Sequence, residues 1–185
     1  MKKRCEWAKI EPNTTYHDKE WGIPQHSDKK LFEFLILEGA QAGLSWSTIL
    51  NRRDGYRLAF SNFDAVKVSK YTPNHVKKLI QNKAIIRNKL KINSAINNAR
   101  QFIKIQKEFG SFDEYLWGFV NHKPIKNKFK KYSDLPSYTT ISKKLSQDLK
   151  KRGFNFVGPT ICYALMQAVG MVNDHTIDCF RYSEL

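Results

Sequence analysis

The chain has 185 residues, 41% of them hydrophobic, enough to bury a core in one compact domain or two small ones. It contains no run of eighteen apolar residues, and the basic start "MKKRCEWAKIEP" has no apolar stretch behind it. That argues against a membrane span and a secretory signal and for a cytoplasmic protein. Thirty-two Lys and Arg against seventeen Asp and Glu leave a net charge of +15, so a polyanion is the expected partner, nucleic acid first and a membrane surface second; a lysine-rich composition from an AT-rich genome would explain the same excess without a partner.

In chain order, "CEWAKIEPNTTYH" (5–17) shows no helical periodicity. "SDKKLFEFLILEGAQAGL" opens with Ser27 or Asp28 as a cap and carries Leu31, Phe34, Leu35 and Leu37 or Glu38 along one side of a helix. "SWSTILNRRDGYRLAF" continues that pattern, and "TPNHVKKLIQN" is a further helix. The longest is "NKLKINSAINNARQFIKIQKEFG", with Ile92, Ala95, Ile96, Ala99, Phe102 and Ile103 at spacings of three and four, and Gly110 as the stop. "SFDEYLWGFV" is a short helix. Residues 121–138, "NHKPIKNKFKKYSDLPSY", are polar, lysine-rich and Pro-containing, and read as a surface connection. "TTISKKLSQDLKKRG" and "TICYALMQAVG" complete the set, each closed by Gly. No segment alternates like a strand. The expected fold is a single all-α domain over residues 1–185, of one or two lobes.

Three cysteines, Cys5, Cys162 and Cys179, are an odd count that argues against a disulfide framework and leaves metal binding or burial. "VNDHTIDC" sets His175 and Cys179 four apart, one helical turn, so that both side chains can reach one atom. Cys5 and His17 supply a second pair, and the four together form a Cys2His2 set suited to a structural zinc that would join the two ends of the chain. Buried thiols with helix-capping histidines account for the same residues.

"YHDKEWG" (16–22), "LEGAQAGLSW" (37–46), "WGFVNHKP" (117–124) and "KKRGFNFVGPTICYALMQAVGMVNDH" (150–175) together resemble the 3-methyladenine DNA glycosylase I family, over about residues 4 to 180. The resemblance implies a helix-hairpin-helix glycosylase fold with a hairpin near 150–170, and a structural zinc on Cys5, His17, His175 and Cys179. It implies a monofunctional enzyme that flips 3-methyladenine out of double-stranded alkylated DNA and leaves an abasic site, acting as a monomer and without a membrane. Glu38 and Trp46 match the residues that bind the base, and Tyr16, Trp21 and Trp7 match the pocket lining. The alternatives are a helix-end carboxylate for Glu38 and core packing for Trp7 and Trp21.

Gly43 and Leu44 match residues that fill the space left by the flipped base. Lys150, Lys151, Arg152, Gly153, Gly158 and Thr160 are the candidate phosphate contacts of the hairpin, whose usual Gly-hydrophobic-Gly turn here reads Phe156-Val157-Gly158. Asn173 stands where related enzymes carry a catalytic Asp, and Asp174 is expected to orient the His175 ring. Cys162 is expected in the core. "EPNTTYHD" is one residue shorter than in some relatives, which puts an aromatic contact of the pocket in question. A zinc-stapled DNA-binding module without catalysis, or a glycosylase of broader alkyl-base specificity, are the competing readings.

Overall fold

The computed structural model describes residues 2–185. Eleven α-helices occur among them: α1 (Asn13–Lys19), α2 (Asp28–Gln41), α3 (Trp46–Leu50), α4 (Arg53–Ala59), α5 (Ala65–Ser69), α6 (Pro73–Gln81), α7 (Lys89–Phe109), α8 (Phe112–Gly118), α9 (Thr140–Lys151), α10 (Pro159–Ala168) and α11 (Phe180–Glu184). The all-α expectation holds, with one addition. Two short strands, β1 (Ile125–Lys126) and β2 (Val172–Asn173), pair in parallel, with Ile125 opposite Val172 and Lys126 opposite Asn173. Two residues each are too short to alternate, so no strand pattern is visible in the sequence.

The organising element is α2. Instead of one apolar side, every residue from Leu31 to Ala40 is buried, Glu33 and Glu38 included. A helix buried all round belongs at the centre of a fold, and α2 packs against α3, α7, α8 and α10. Its first carboxylate does not cap its own helix: Asp28 accepts the backbone N–H groups of Phe112 and Asp113, both at 2.9 Å, and so caps α8 from a distance. Glu33 is offset by Arg53, whose Nε donates to it at 2.8 Å, and by Lys30 and Arg57.

Other elements depart from expectation for local reasons. The stretch from Trp46 to Phe60 divides into α3 and α4 at Asn51 and Arg52, and Ser45 caps the first by accepting the Thr48 N–H. Residues 5–17 run into α1, a seven-residue helix that buries only Tyr16 and His17, too few to leave a period in the sequence. The long helix α7 runs as expected, from an Asn88 cap to Gly110 at φ +88°. After α10 the chain reverses at Gly170, φ +74°, against the backbone of Gly22 to Pro24. A Cβ at Gly170 would overlap Ile23 and Pro24 as well as straining φ. Gly170→Ala is therefore expected to cost about 3 kcal/mol or more in chemical denaturation, whereas Gly118→Ala, where no atom lies near, costs nothing measurable.

Candidate functional site: an aromatic cavity beside a Cys2His2 cluster

A cavity of about 770 Å³ opens between the C-terminal half of α2, the N-terminal segment, α10 and the 132–137 loop. Glu38, on the last full turn of α2, lines it. The Glu38 side chain is 4% exposed and has neither an ion pair nor a hydrogen bond among the described residues. Burial alone pushes its pKa up to about 8. Around it stand aromatic rings: Tyr16 lies 5.3 Å from Trp46 and 6.3 Å from Trp7, and Trp7 meets Trp21 edge-on at 4.9 Å. Burial also holds the Tyr16 phenol well above its ordinary pKa, with the Glu38 charge adding to the effect, so it stays neutral.

Two buried polar atoms of the wall have no partner: Trp46 Nε1, a donor, and Asn13 Oδ1, an acceptor. Unmet hydrogen-bonding groups are costly in a core. In a cavity wall they face the space where a bound molecule would sit. The arrangement offers ring faces, one N–H, one carbonyl and one carboxyl group to a flat, polar-edged molecule.

Directly behind the Trp7 and Trp21 side of the wall lies the cluster of Cys5, His17, His175 and Cys179, all buried, with one ligand atom each within 4.8 Å of the others. Cys179 Sγ is 3.4 Å from His17 Nε2 and 3.6 Å from His175 Nδ1; Cys5 Sγ is 3.6 Å from His175 Nδ1; the two ring nitrogens are 3.2 Å apart. Tetrahedral bonds of about 2.0–2.3 Å give edges of about 3.3–3.8 Å, so these four atoms fit the corners of one zinc-sized site. The other ring nitrogens are engaged as ligand histidines require: His17 Nδ1 with Asp18 at 2.8 Å and His175 Nε2 with the Trp21 carbonyl at 3.2 Å. His175 and Cys179 converge, although not across a helical turn. Residues 174–179 form a turn ahead of α11, closed by the Cys179 N–H on the Thr176 carbonyl.

The third feature is the α9–α10 hairpin, whose helices pack on each other. Gly153 has φ +88°, and Phe156 has φ +53°. Phe156 thus holds a left-handed conformation that side chains rarely adopt, and carries local strain. Gly158 is the N-cap of α10 and Thr160 lies on its exposed first turn, at the cavity edge.

A family model described as methyladenine glycosylase matches residues 7–182 of this chain. The chain belongs to the methyladenine glycosylase family. It is 47% identical over 180 residues to DNA-3-methyladenine glycosylase 1 of Escherichia coli, covering 97% of this chain and 96% of that protein. It is 45% identical to DNA-3-methyladenine glycosylase of Haemophilus influenzae, over 97% of each. Among solved structures, a crystal structure of 3-methyladenine DNA glycosylase I superposes with a TM-score of 0.94 at 44% identity, over 96% of this chain and 98% of that one. A Staphylococcus aureus 3-methyladenine DNA glycosylase I, solved for the structural basis of 3-methyladenine recognition, gives 0.93 at 35% identity, over 96% and 95%.

Within this glycosylase framework, Trp7, Tyr16, Trp21, Glu38 and Trp46 all meet at one cavity, joined by Gly43, Leu44 and Thr160. Gly43 has φ +76° with open space around it, and Leu44 is 40% exposed at the rim. Lys150 and Lys151 are exposed on α9, away from the cavity wall. Arg152 is engaged within the fold: its guanidinium grips both oxygens of Glu108 and one of Asp148 and lies over Phe109 and Tyr115.

Asp174 does not take the place expected of it beside the imidazole. It does not touch the His175 ring; it accepts from Tyr163 at 2.5 Å, Gln167 at 2.8 Å and Asn127 at 2.6 Å, while Asp18 contacts the His17 ring of the cluster. Asn173 is buried, accepting the His175 N–H and donating to the Tyr182 carbonyl. Cys162 sits in the core as expected.

Sequence reasoning missed Asn13, Tyr163, Gln167 and the loop residues Tyr132, Leu135, Pro136 and Ser137, all on the cavity wall. The shortened segment before Tyr16 presents Asn13 to the cavity. The lysine-rich connection is thus part of the site, and the Tyr and Pro residues at its end were the available signal.

Proposed function

We propose that this chain is a monofunctional N-glycosylase that takes 3-methyladenine out of duplex DNA and leaves an abasic site. The observation that carries the proposal is Glu38: a buried carboxyl group without a partner, on the wall of an aromatic cavity, in a member of this family. A base flipped into such a cavity stacks on indole and phenol faces. While still bonded to the sugar, N3-methylated adenine carries positive charge, and each aromatic face favours that cation over neutral adenine by about 0.5–2 kcal/mol. Glu38 complements the charge and accepts from the base edge; Trp46 Nε1 donates to it.

Methylation has already made the base a good leaving group, so the protein needs to hold the cation and its departing form more than it needs to activate water. The candidate acids support this. Asp174 spends its lone pairs on three donors inside the fold, and Asn173 has no acid to offer. Neither serves as a general base.

DNA is held, on this reading, by a helix-hairpin-helix unit built of α9, the 152–158 turn and α10, with Lys150, Lys151, Gly153, Gly158 and Thr160 toward phosphate, and by Gly43 and Leu44 entering the gap left by the base. Cys5, His17, His175 and Cys179 hold one structural zinc; a closed four-ligand shell supplies folding energy and no open position for chemistry. The whole chain acts as one domain, in the cytoplasm where its bacterial relatives' DNA substrate lies. The test is incubation with methylated DNA followed by chromatography of the released bases. Free 3-methyladenine with little 7-methylguanine is expected. Both bases in quantity would indicate broader specificity, and no release would leave only a DNA-binding module.

A further inference from the structure

The loop from Lys126 to Tyr138 is poorly explained as a mere connection, because its far end walls the cavity with Tyr132, Leu135, Pro136 and Ser137. We propose that this strap is a second DNA-gripping lip, which takes the phosphodiester strand beside the flipped nucleotide on Lys128, Lys130 and Lys131. The inference rests on the glycosylase reading and deepens it.

Four observations carry the proposal. First, exposure alternates along the strap: Lys126, Lys128 and Lys130 are exposed, while Asn127 and Phe129 between them are partly buried. That is extended chain with its inner face on the protein and a row of cations outward, about 6.6 Å apart. Secondly, those cations are unspent. Five lysines face one acid in residues 121–138, and that acid, Asp134, turns back to accept the Lys131 backbone N–H at 3.0 Å. Lys128, Lys130 and Lys131 have no ion pair among the described residues, whereas Lys126 lies over the Tyr182 ring.

Thirdly, the row is fixed in place. Ile125 N–H donates to the Met171 carbonyl at 3.0 Å, Asn127 N–H to the Asn173 carbonyl at 3.2 Å, and Ile177 N–H to the Phe129 carbonyl at 2.9 Å; the Asn127 side chain reaches Asp174. A pre-set row loses little further freedom on binding. Fourthly, Tyr132 follows Lys131 at the cavity rim and is half exposed, a ring face where a neighbouring base can stack. A membrane surface or an acidic protein would give no reason for the cation row to end on a buried aromatic cavity. A DNA strand with one nucleotide turned inward does.

The experiment measures affinity for a duplex with one abasic site, across a salt series, together with affinity for free 3-methyladenine by tryptophan quenching. Replacing Lys128, Lys130 and Lys131 together by Gln is expected to weaken duplex binding at least tenfold near 0.1 M salt. It should also flatten the slope of log K against log salt by about 2–3, since each released phosphate contact contributes about 0.9. Free-base affinity should not change, and the triple Lys→Arg variant should keep the wild-type slope. Gln at Lys70, Lys77 and Lys78, exposed and off the cavity, should also leave the slope unchanged.

A wild-type slope in the strap variant would overturn the proposal. So would a parallel loss of free-base affinity, which would make the strap a support of the cavity and not a grip on DNA. Absence of base release by the wild-type protein is a separate readout, and that result would overturn the glycosylase reading itself.

Discussion

Glu38→Gln is expected to weaken binding of free 3-methyladenine by about 10- to 150-fold, the equivalent of a hydrogen bond to a charged group worth about 1.5–3 kcal/mol, while leaving the folded protein no less stable at neutral pH. The two effects separate because the carboxyl group has no partner of its own inside the fold. Burial raises its pKa from 4.5 to about 8. Between those values the folded chain holds a proton that the unfolded chain has lost. The stability this confers is therefore fully present below pH 4.5 and disappears as pH rises through about 8.

Melting curves should show the wild type losing ground to Glu38→Gln across that window, with the variant the more stable of the two at pH 8.5. Calorimetry in buffers of different ionisation enthalpy should also detect a proton released when a cationic base analogue enters the wild-type cavity, and none in the variant. Equal affinities in the two proteins would remove Glu38 from base recognition.

Cys179→Ser should produce the largest loss of stability. It removes one corner of a buried set whose atoms already stand at tetrahedral spacings. A structural zinc contributes its binding energy directly to folding. If only about 4 kcal/mol of that is lost, the melting temperature of a protein this size falls by about 8–16 °C. Bound metal, measured by atomic spectroscopy, should drop from one equivalent to a small fraction. Cys162→Ser is the comparison: it also places a hydroxyl in the core, but off the cluster, so it should keep its metal and lose far less. Retention of a full metal complement by Cys179→Ser, or equal melting of the two variants, would rule out the clasp.

Much of this was legible in the sequence because the informative residues are also the unusual ones. The long period of α7 and its Gly110 stop come through plainly, since one face of that helix is wet and the other dry. The four clustered Cys and His residues and the five cavity residues also come through, carried by strings that the family resemblance picks out. What stayed hidden has physical causes. Helix α2 has no polar face, so a one-sided reading of it could not succeed. Arg152 reads as a free cation until Glu108 arrives from forty-four residues away, and Asp174 reads as a partner of its neighbour until Tyr163, Gln167 and Asn127 are seen to hold it. Pairings of that kind are made by tertiary contact and leave no local spacing. The 132–137 loop hid for the opposite reason: polar, proline-containing chain looks alike whether it borders solvent or a cavity.

The parallel pair of β1 and β2 has a further consequence. Its inner strand leads straight into His175, and the Phe129–Ile177 bond falls between that histidine and Cys179, while Trp21 is bonded to the same imidazole. Damage-sensing parts and the terminal knot therefore share one short run of chain. A substitution that loosens this run is therefore expected to disturb the Cys2His2 cluster, the Trp21 wall and the anchoring of Phe129 together.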